Sequence, residues 1–164
     1  MIEPVLAPEV AEALHEGRPV VALESTIFSR LGLPSPANRE ALDRCLAAVV
    51  ANGAVPAVTA VLDGVPRVGV SEDEHDRILG AARKSAERDI PVAIAQGWEF
   101  GATTVSAALA MASAAGISVF ATGGIGGVHR EVADTRDVSA DPAASASPPL
   151  VTVCARAKAF LDLP

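Results

Sequence analysis

Strand-length apolar runs, spaced by helical patterns and turns, constrain this chain more than any other feature. Pro19–Glu24 (PVVALE), Pro56–Leu62 (PAVTAVL), Pro91–Ala95 (PVAIA), Ile117–Thr122 (ISVFAT) and Leu150–Cys154 (LVTVC) are rich in β-branched residues and nearly free of polar ones. Such runs read as strands covered on both faces, as in a parallel sheet. A short strand at Val65–Val68 follows the hairpin signal Asp63-Gly64. Helical patterns fall between the runs. Glu9–Glu16 lies between Pro8 and Gly17, and Ala37–Asn52 stops at Gly53. Ser71 with Glu74 forms a capping box for a helix running toward Arg83, and Thr103–Ala115 is alanine-rich and closes on Gly116. Ser25–Pro36 and Ala143–Pro149 (AASASPP) read as loops.

This alternation predicts an α/β fold: three layers, α/β/α, around a largely parallel central sheet. The 164 residues suit one domain, 1–164, without internal repeats. A helix begins at Ala155 and no strand follows, so the expected fold is the front part of a longer one. Only four Phe and one Trp are present, so the core must be built from Ala, Val, Leu and Ile.

Function classes narrow with charge and cysteine use. A net charge of −7 argues against a general nucleic-acid binder. Cys45 and Cys154 show no metal spacing and read as buried, reduced thiols. The N-terminus has no signal-peptide pattern and no apolar stretch reaches membrane-spanning length, so a soluble cytoplasmic protein is expected. Of thirteen basic residues, eleven are Arg and two are Lys, Lys84 and Lys158. Lysine can lose its proton and form a Schiff base, whereas Arg cannot.

Candidate chemistry gathers at strand ends. Glu24 closes an apolar strand and is either a solvated acid or a general acid whose pKa is lifted by apolar neighbours. Ile117–Arg130 (ISVFATGGIGGVHR) runs from a strand into four glycines and His129-Arg130, which would bring backbone N–H groups to the sheet's carboxyl edge. Asp137, Ser139 and Asp141 in DVSAD alternate, suiting a hard cation, a sugar or base, or a solvated acidic turn. Lys158 either snorkels to the surface or attacks a carbonyl as a neutral amine. Lys84 is either a surface residue or a phosphate contact. A generic nucleotide loop fits less well, because GGIGG lacks both G-x-G-x-x-G spacing and a Gly-Lys-Ser/Thr ending.

Six segments in order, VALEST (21–26), NGAVPAVTAVLDG (52–64), GATTV (101–105), ATGGIGGVHR (121–130), DVSAD (137–141) and VCARAKAFLDL (153–163), resemble the pseudouridine-5′-phosphate glycosidases, which include proteins labelled indigoidine synthase A-like. The resemblance runs from about Pro8 to Leu163. It implies that the chain corresponds to the N-terminal part of the family fold, ending with the lysine helix. It also implies reversible cleavage of the C–C glycosidic bond of pseudouridine 5′-phosphate to uracil and ribose 5-phosphate. A divalent metal, usually Mn²⁺, and a homotrimer are implied as well. Carried over by motif, Glu24 is the proton donor, Lys158 the nucleophile and Asp137 the metal ligand. Lys84, Val105, Ser139, Ala140 and Asp141 are the implied substrate contacts. We add Thr122 and the glycine turn as an expected phosphate cradle, with Lys84 contributing charge. Binding of a sugar phosphate or a partner chain without turnover is the alternative. The loop after VALEST reads SRLGLPSP where the family usually has His-Gly, and Arg156 stands where the family normally has Gly.

Overall fold

A computed structural model describes residues 2–128, 134, 138–146 and 149–156. It confirms a mixed α/β fold with a mostly parallel central sheet. In chain order the elements are β1 (Val5–Leu6), α1 (Pro8–His15), β2 (Val20–Leu23), α2 (Ala37–Ala51), β3 (Val55–Leu62) and β4 (Val65–Val68). There follow α3 (His75–Ile78), β5 (Arg83–Ser85), α4 (Ile90–Ala95), β6 (Phe100–Thr103), α5 (Val105–Ala114), β7 (Val119–Thr122), α6 (Asp141–Ala146) and β8 (Val151–Cys154). The sheet runs β1-β4-β3-β2-β7-β8, and β6 joins β3 to β5 off that path. β3 pairs antiparallel with β4 and β6, and the other pairings are parallel.

Side-chain alternation along the strands builds the layers. Val20 and Ala22 of β2, Val55 and Ala57 of β3 and Phe120 of β7 join one core cluster with Val10 of α1 and Leu109 of α5. Their neighbours Leu23, Val58, Ala60 and Leu62 join a second cluster with Leu42 of α2 and Ile78 of α3. Residues one apart along a strand thus feed opposite cores, so helices cover both faces of the sheet.

One junction positions the site. Residues Val55–Val58 of β3 pair with β2, and Ala60–Leu62 pair with β6 in the opposite direction. The carboxyl ends of β2 and β6 therefore meet head to head beside Thr59. Three fully buried hydroxyls lock that meeting point. Thr103 Oγ1 donates to the Thr59 carbonyl at 2.8 Å and accepts from Ser25 N–H at 3.2 Å, while Ser25 Oγ accepts from Thr103 N–H at 3.0 Å. Thr59 Oγ1 reaches the Leu23 carbonyl at 3.1 Å. These bonds hold the chain at Glu24 and at the start of α5 in one frame, because burial makes each unmade bond costly.

The structure corrects five local expectations. Pro91–Ala95 is helix, not strand: Pro91 occupies the first turn, where no N–H is needed, and Ile90 and Ala93 are buried while Val92 and Ile94 are each 44% exposed. The expected strand is instead β6, whose FGAT sequence carries no β signature although all four residues are buried. The Ser71–Glu74 capping box forms, yet its helix ends at Ile78 and Gly80, and the chain re-enters the sheet as β5. Within the expected Ala143–Pro149 loop, residues up to Ala146 are helical, started by Asp141. Both Cys45 and Cys154 are exposed, not buried, since they sit on an outer face of α2 and on β8. His129, Arg130, Asp137, Lys158 and the rest of the expected final helix lie outside the described residues.

Candidate functional site

Six separate stretches line a cavity of about 710 Å³ at the β2–β6 junction. Glu24, Thr26, Ile27, Leu31 and Gly32 come from the end of β2 and the loop beyond it. Lys84, Ala86, Arg88 and Asp89 come from β5 and the turn before α4, and Thr104, Val105 and Ser106 from the start of α5. Gly123, Gly124 and Gly126 follow β7, Val138–Asp141 lead into α6, and Arg156 follows β8. Glu24, Lys84, Val105, Ser139, Ala140 and Asp141, all expected from sequence, therefore converge. Asp137 and Lys158 lie outside the described residues. Among the described residues no group of three or more His, Cys, Asp and Glu side chains is placed to hold a metal.

Thr122 does not line the cavity but supports it. β2 and β7 are parallel neighbours with Leu23 opposite Ala121, so Glu24 and Thr122 leave their strands side by side. The Thr122 hydroxyl donates to Glu24 Oε1 and accepts from Gly124 N–H at 3.3 Å.

The glycine turn, expected from sequence to hold an anion, gives three of its amides to partners within the protein. Its Gly124 amide is given to Thr122, Ile125 N–H donates to the Arg156 carbonyl at 3.3 Å, and Gly126 N–H donates to Asp141 Oδ2 at 2.8 Å. Those donors hold the turn to its neighbours. Asp141 is the main anchor. It is 7% exposed, and its Oδ1 accepts from Ser106 N–H at 3.3 Å while Oδ2 takes Gly126. One carboxylate thereby ties the turn after β7 to the first turn of α5, where the helix dipole favours negative charge. A Cβ at Gly126 would stand 2.5 Å from Ser139 Oγ and 2.8 Å from Asp141 Oδ2, so only glycine fits.

Positive charge gathers on the wall facing the glycine turn, where Lys84 sits mid-strand in β5 and Arg88 follows in the turn that Asp89 closes by accepting Ala86 N–H at 2.9 Å. Arg156 reaches the cavity from the other side, after β8, where its carbonyl binds the turn. Sequence reasoning missed Arg88, which reads as one solvated charge in AERDI, and also missed Ser106, hidden in an alanine-rich helix. Only the parallel pairing of β5 with β6 (Lys84 opposite Ala102) brings that wall to the end of β2.

Fold and site together define an α/β protein with a polar ligand cavity at opposed strand ends. Residues 9–164 match the model of the family described as indigoidine synthase A like protein. The chain belongs to that family. It is 56% identical to a pseudouridine-5′-phosphate glycosidase of Rhodospirillum centenum, over 90% of this chain and 46% of the relative. It is 51% identical to one of Herpetosiphon aurantiacus, over 100% of this chain and 54% of the relative. Among solved structures, a prealnumycin C-glycosynthase in complex with ribulose 5-phosphate superposes with a TM-score of 0.86 and 38% identity, covering 98% of this chain and 52% of that one. An indigoidine synthase A-like protein of Thermotoga maritima superposes with a TM-score of 0.84 and 33% identity, covering 98% and 52%. The chain thus spans about half the length of the curated relatives it matches.

Proposed function

We propose that this chain carries the catalytic half of a pseudouridine-5′-phosphate glycosidase: pseudouridine 5′-phosphate and water give uracil and ribose 5-phosphate, reversibly. The observation that carries the proposal is the convergence of Glu24, Lys84, Val105 and Ser139–Asp141 on one cavity. The similar proteins named for this activity support it, as does the C-glycosynthase relative with its bound sugar phosphate.

The chemistry follows from the bond to be broken. A C–C glycosidic bond offers no nitrogen or oxygen leaving atom to protonate. As O4′ is protonated the C1′–O4′ bond breaks and the Lys158 amine bonds to C1′, giving an open-chain amine adduct. Once uracil C5 is protonated the C1′–C5 bond breaks with its electrons leaving on the uracil ring, and the nitrogen lone pair forms the C1′=N imine of the ribose. Glu24 delivers the proton for ring opening and one to the departing base. Water then hydrolyses the imine and releases ribose 5-phosphate. Lys84 and Arg88 face the same cavity and supply the charge for the phosphate, in place of the turn amides already engaged. A divalent cation held by Asp137 belongs to the proposal, and the Ser139 hydroxyl on the cavity wall is an oxygen donor of the kind such an ion takes. When bound it would supply positive charge. A cytoplasmic homotrimer completes the proposal. Among the described residues no helix is long and apolar enough to cross a membrane.

A second reading, sugar-phosphate binding without turnover, draws on the span of about half the relatives' length. Ultraviolet spectroscopy separates the two. Loss of pseudouridine 5′-phosphate with Mn²⁺ present, falling after chelation, supports the glycosidase. Ribose 5-phosphate binding with no spectral change supports the second reading.

A further inference from the structure

The glycine turn makes contacts that lead to Glu24. A threonine hydroxyl has a single proton, and its direction is decided by what its oxygen accepts. At Thr122 the Gly124 N–H donates to Oγ1 at 3.3 Å, so the hydroxyl proton must go elsewhere. Among the described residues two acceptors stand in reach. The Gly124 carbonyl is 3.5 Å away, at the limit of a hydrogen bond, and Glu24 Oε1 is much closer. The proton goes to Glu24.

The turn itself cannot drift. Ile125 N–H is bound by the Arg156 carbonyl, and Gly126 N–H by the buried Asp141 carboxylate, with no space for a side chain at Gly126. The parallel register of β2 and β7 fixes the other end by setting Glu24 beside Thr122. A rigid path therefore runs from Asp141 through the turn and Thr122 to one oxygen of Glu24.

We infer that Thr122 is a positioning residue for Glu24: its hydroxyl, oriented by Gly124 N–H, holds Oε1 as an acceptor, so the proton Glu24 exchanges with substrate is carried on Oε2. No bond to substrate is assigned to Thr122. The inference rests on the proposed role of Glu24 as proton donor, and it adds which oxygen acts and what orients it. Donation to the carboxylate stabilises its charged form, so removing the hydroxyl must raise the Glu24 midpoint.

The test is a carboxyl ¹³C-NMR titration of Glu24, assigned by the signal lost in Glu24→Gln. Thr122→Val keeps the β-branched shape and removes the hydroxyl, and Thr122→Ser retains it. The expected result is a raised midpoint in Thr122→Val and a midpoint near that of the starting protein in Thr122→Ser. In the unsubstituted protein, the Gly124 amide shift should follow the Glu24 midpoint and become flat in Glu24→Gln. That arm stands even if Thr122→Val does not fold. In turnover, Thr122→Val should lower kcat about five- to tenfold, the equivalent of one ordinary hydrogen bond, with KM little changed. An unmoved midpoint in folded Thr122→Val overturns the inference, as does a Gly124 amide indifferent to Glu24, or a Ser variant as impaired as Val. The titration needs no turnover. A chain that shows the shift but cleaves nothing refutes the proposed activity and leaves the positioning role, whereas cleavage without the shift does the reverse.

Discussion

Replacing Gly126 with alanine probes the anchor of the site more sharply than any change inside the cavity. The added methyl would lie 2.5 Å from Ser139 Oγ, 2.8 Å from Ser139 Cβ and 2.8 Å from Asp141 Oδ2. Relief requires the α6 entry to retreat, which stretches the 2.8 Å bond from Gly126 N–H to the buried Asp141 carboxylate. Overpacking costs about 1–3 kcal/mol, and loosening a hydrogen bond to a charged group about 1.5–3 kcal/mol. The two strains relax together, so the expected loss is roughly 2–5 kcal/mol. With a urea dependence of about 2 kcal/mol/M, the unfolding midpoint should fall by about 1–2.5 M. Gly123→Ala, three positions earlier, is the control. Among the described residues its methyl would meet only Ile27 Cδ1, at 3.7 Å, an ordinary contact, and its stability should stay within about 0.5 kcal/mol. Equal midpoints for the two variants would refute the anchor.

Further outcomes follow from the same geometry. Thr103→Val strips the junction hydroxyl and leaves Ser25 N–H and the Thr59 carbonyl unpaired, so thermal or urea unfolding should show a loss of about 2–4 kcal/mol. A Val variant as stable as the parent would mean the hydroxyl lock is idle. Arg88→Ala should weaken ribose 5-phosphate binding about 10–100-fold by calorimetry, the loss of one charge-assisted contact. Unchanged affinity would remove Arg88 from the phosphate wall. Although Cys45 is exposed as a residue, partial desolvation of its thiol pushes the pKa up, and neighbouring Arg44 pulls it partly back. Less thiolate is then present at neutral pH than in a free cysteine, so iodoacetamide should label Cys45 more slowly there and catch up only at higher pH. Labelling as fast as a model thiol at neutral pH would contradict this.

How much of this was legible in the sequence depended on how local each signal is. β2, β3, β4 and β7 announced themselves because their apolar runs are bounded by Gly, Pro or Asp and feed two cores. β6 did not, because Phe100-Gly101-Ala102-Thr103 becomes a strand only through β3 on one side and β5 on the other. Pro91–Ala95 read as strand because its residues are apolar and β-branched. The proline at its start and the burial of every third residue decide for helix, and that burial is a tertiary fact. Glu24, Lys84 and Ser139–Asp141 could be named from motif resemblance, and all of them line one cavity. What no motif encoded is the division of labour. The Asp141 carboxylate takes the amides of Gly126 and Ser106, the cation wall includes Arg88, and Thr122 serves Glu24. Each depends on a partner fifteen or more residues away or on the register of two strands.

The central claim is that this cavity presents a sugar phosphate to an amine that forms an imine at C1. Borohydride reduction of the chain with ribose 5-phosphate, followed by peptide mass spectrometry, tests it directly. The account predicts a reduced adduct on the peptide containing Lys158, weakened in Lys84→Ala and absent in Lys158→Ala. No adduct, or one that persists in Lys158→Ala, would contradict it.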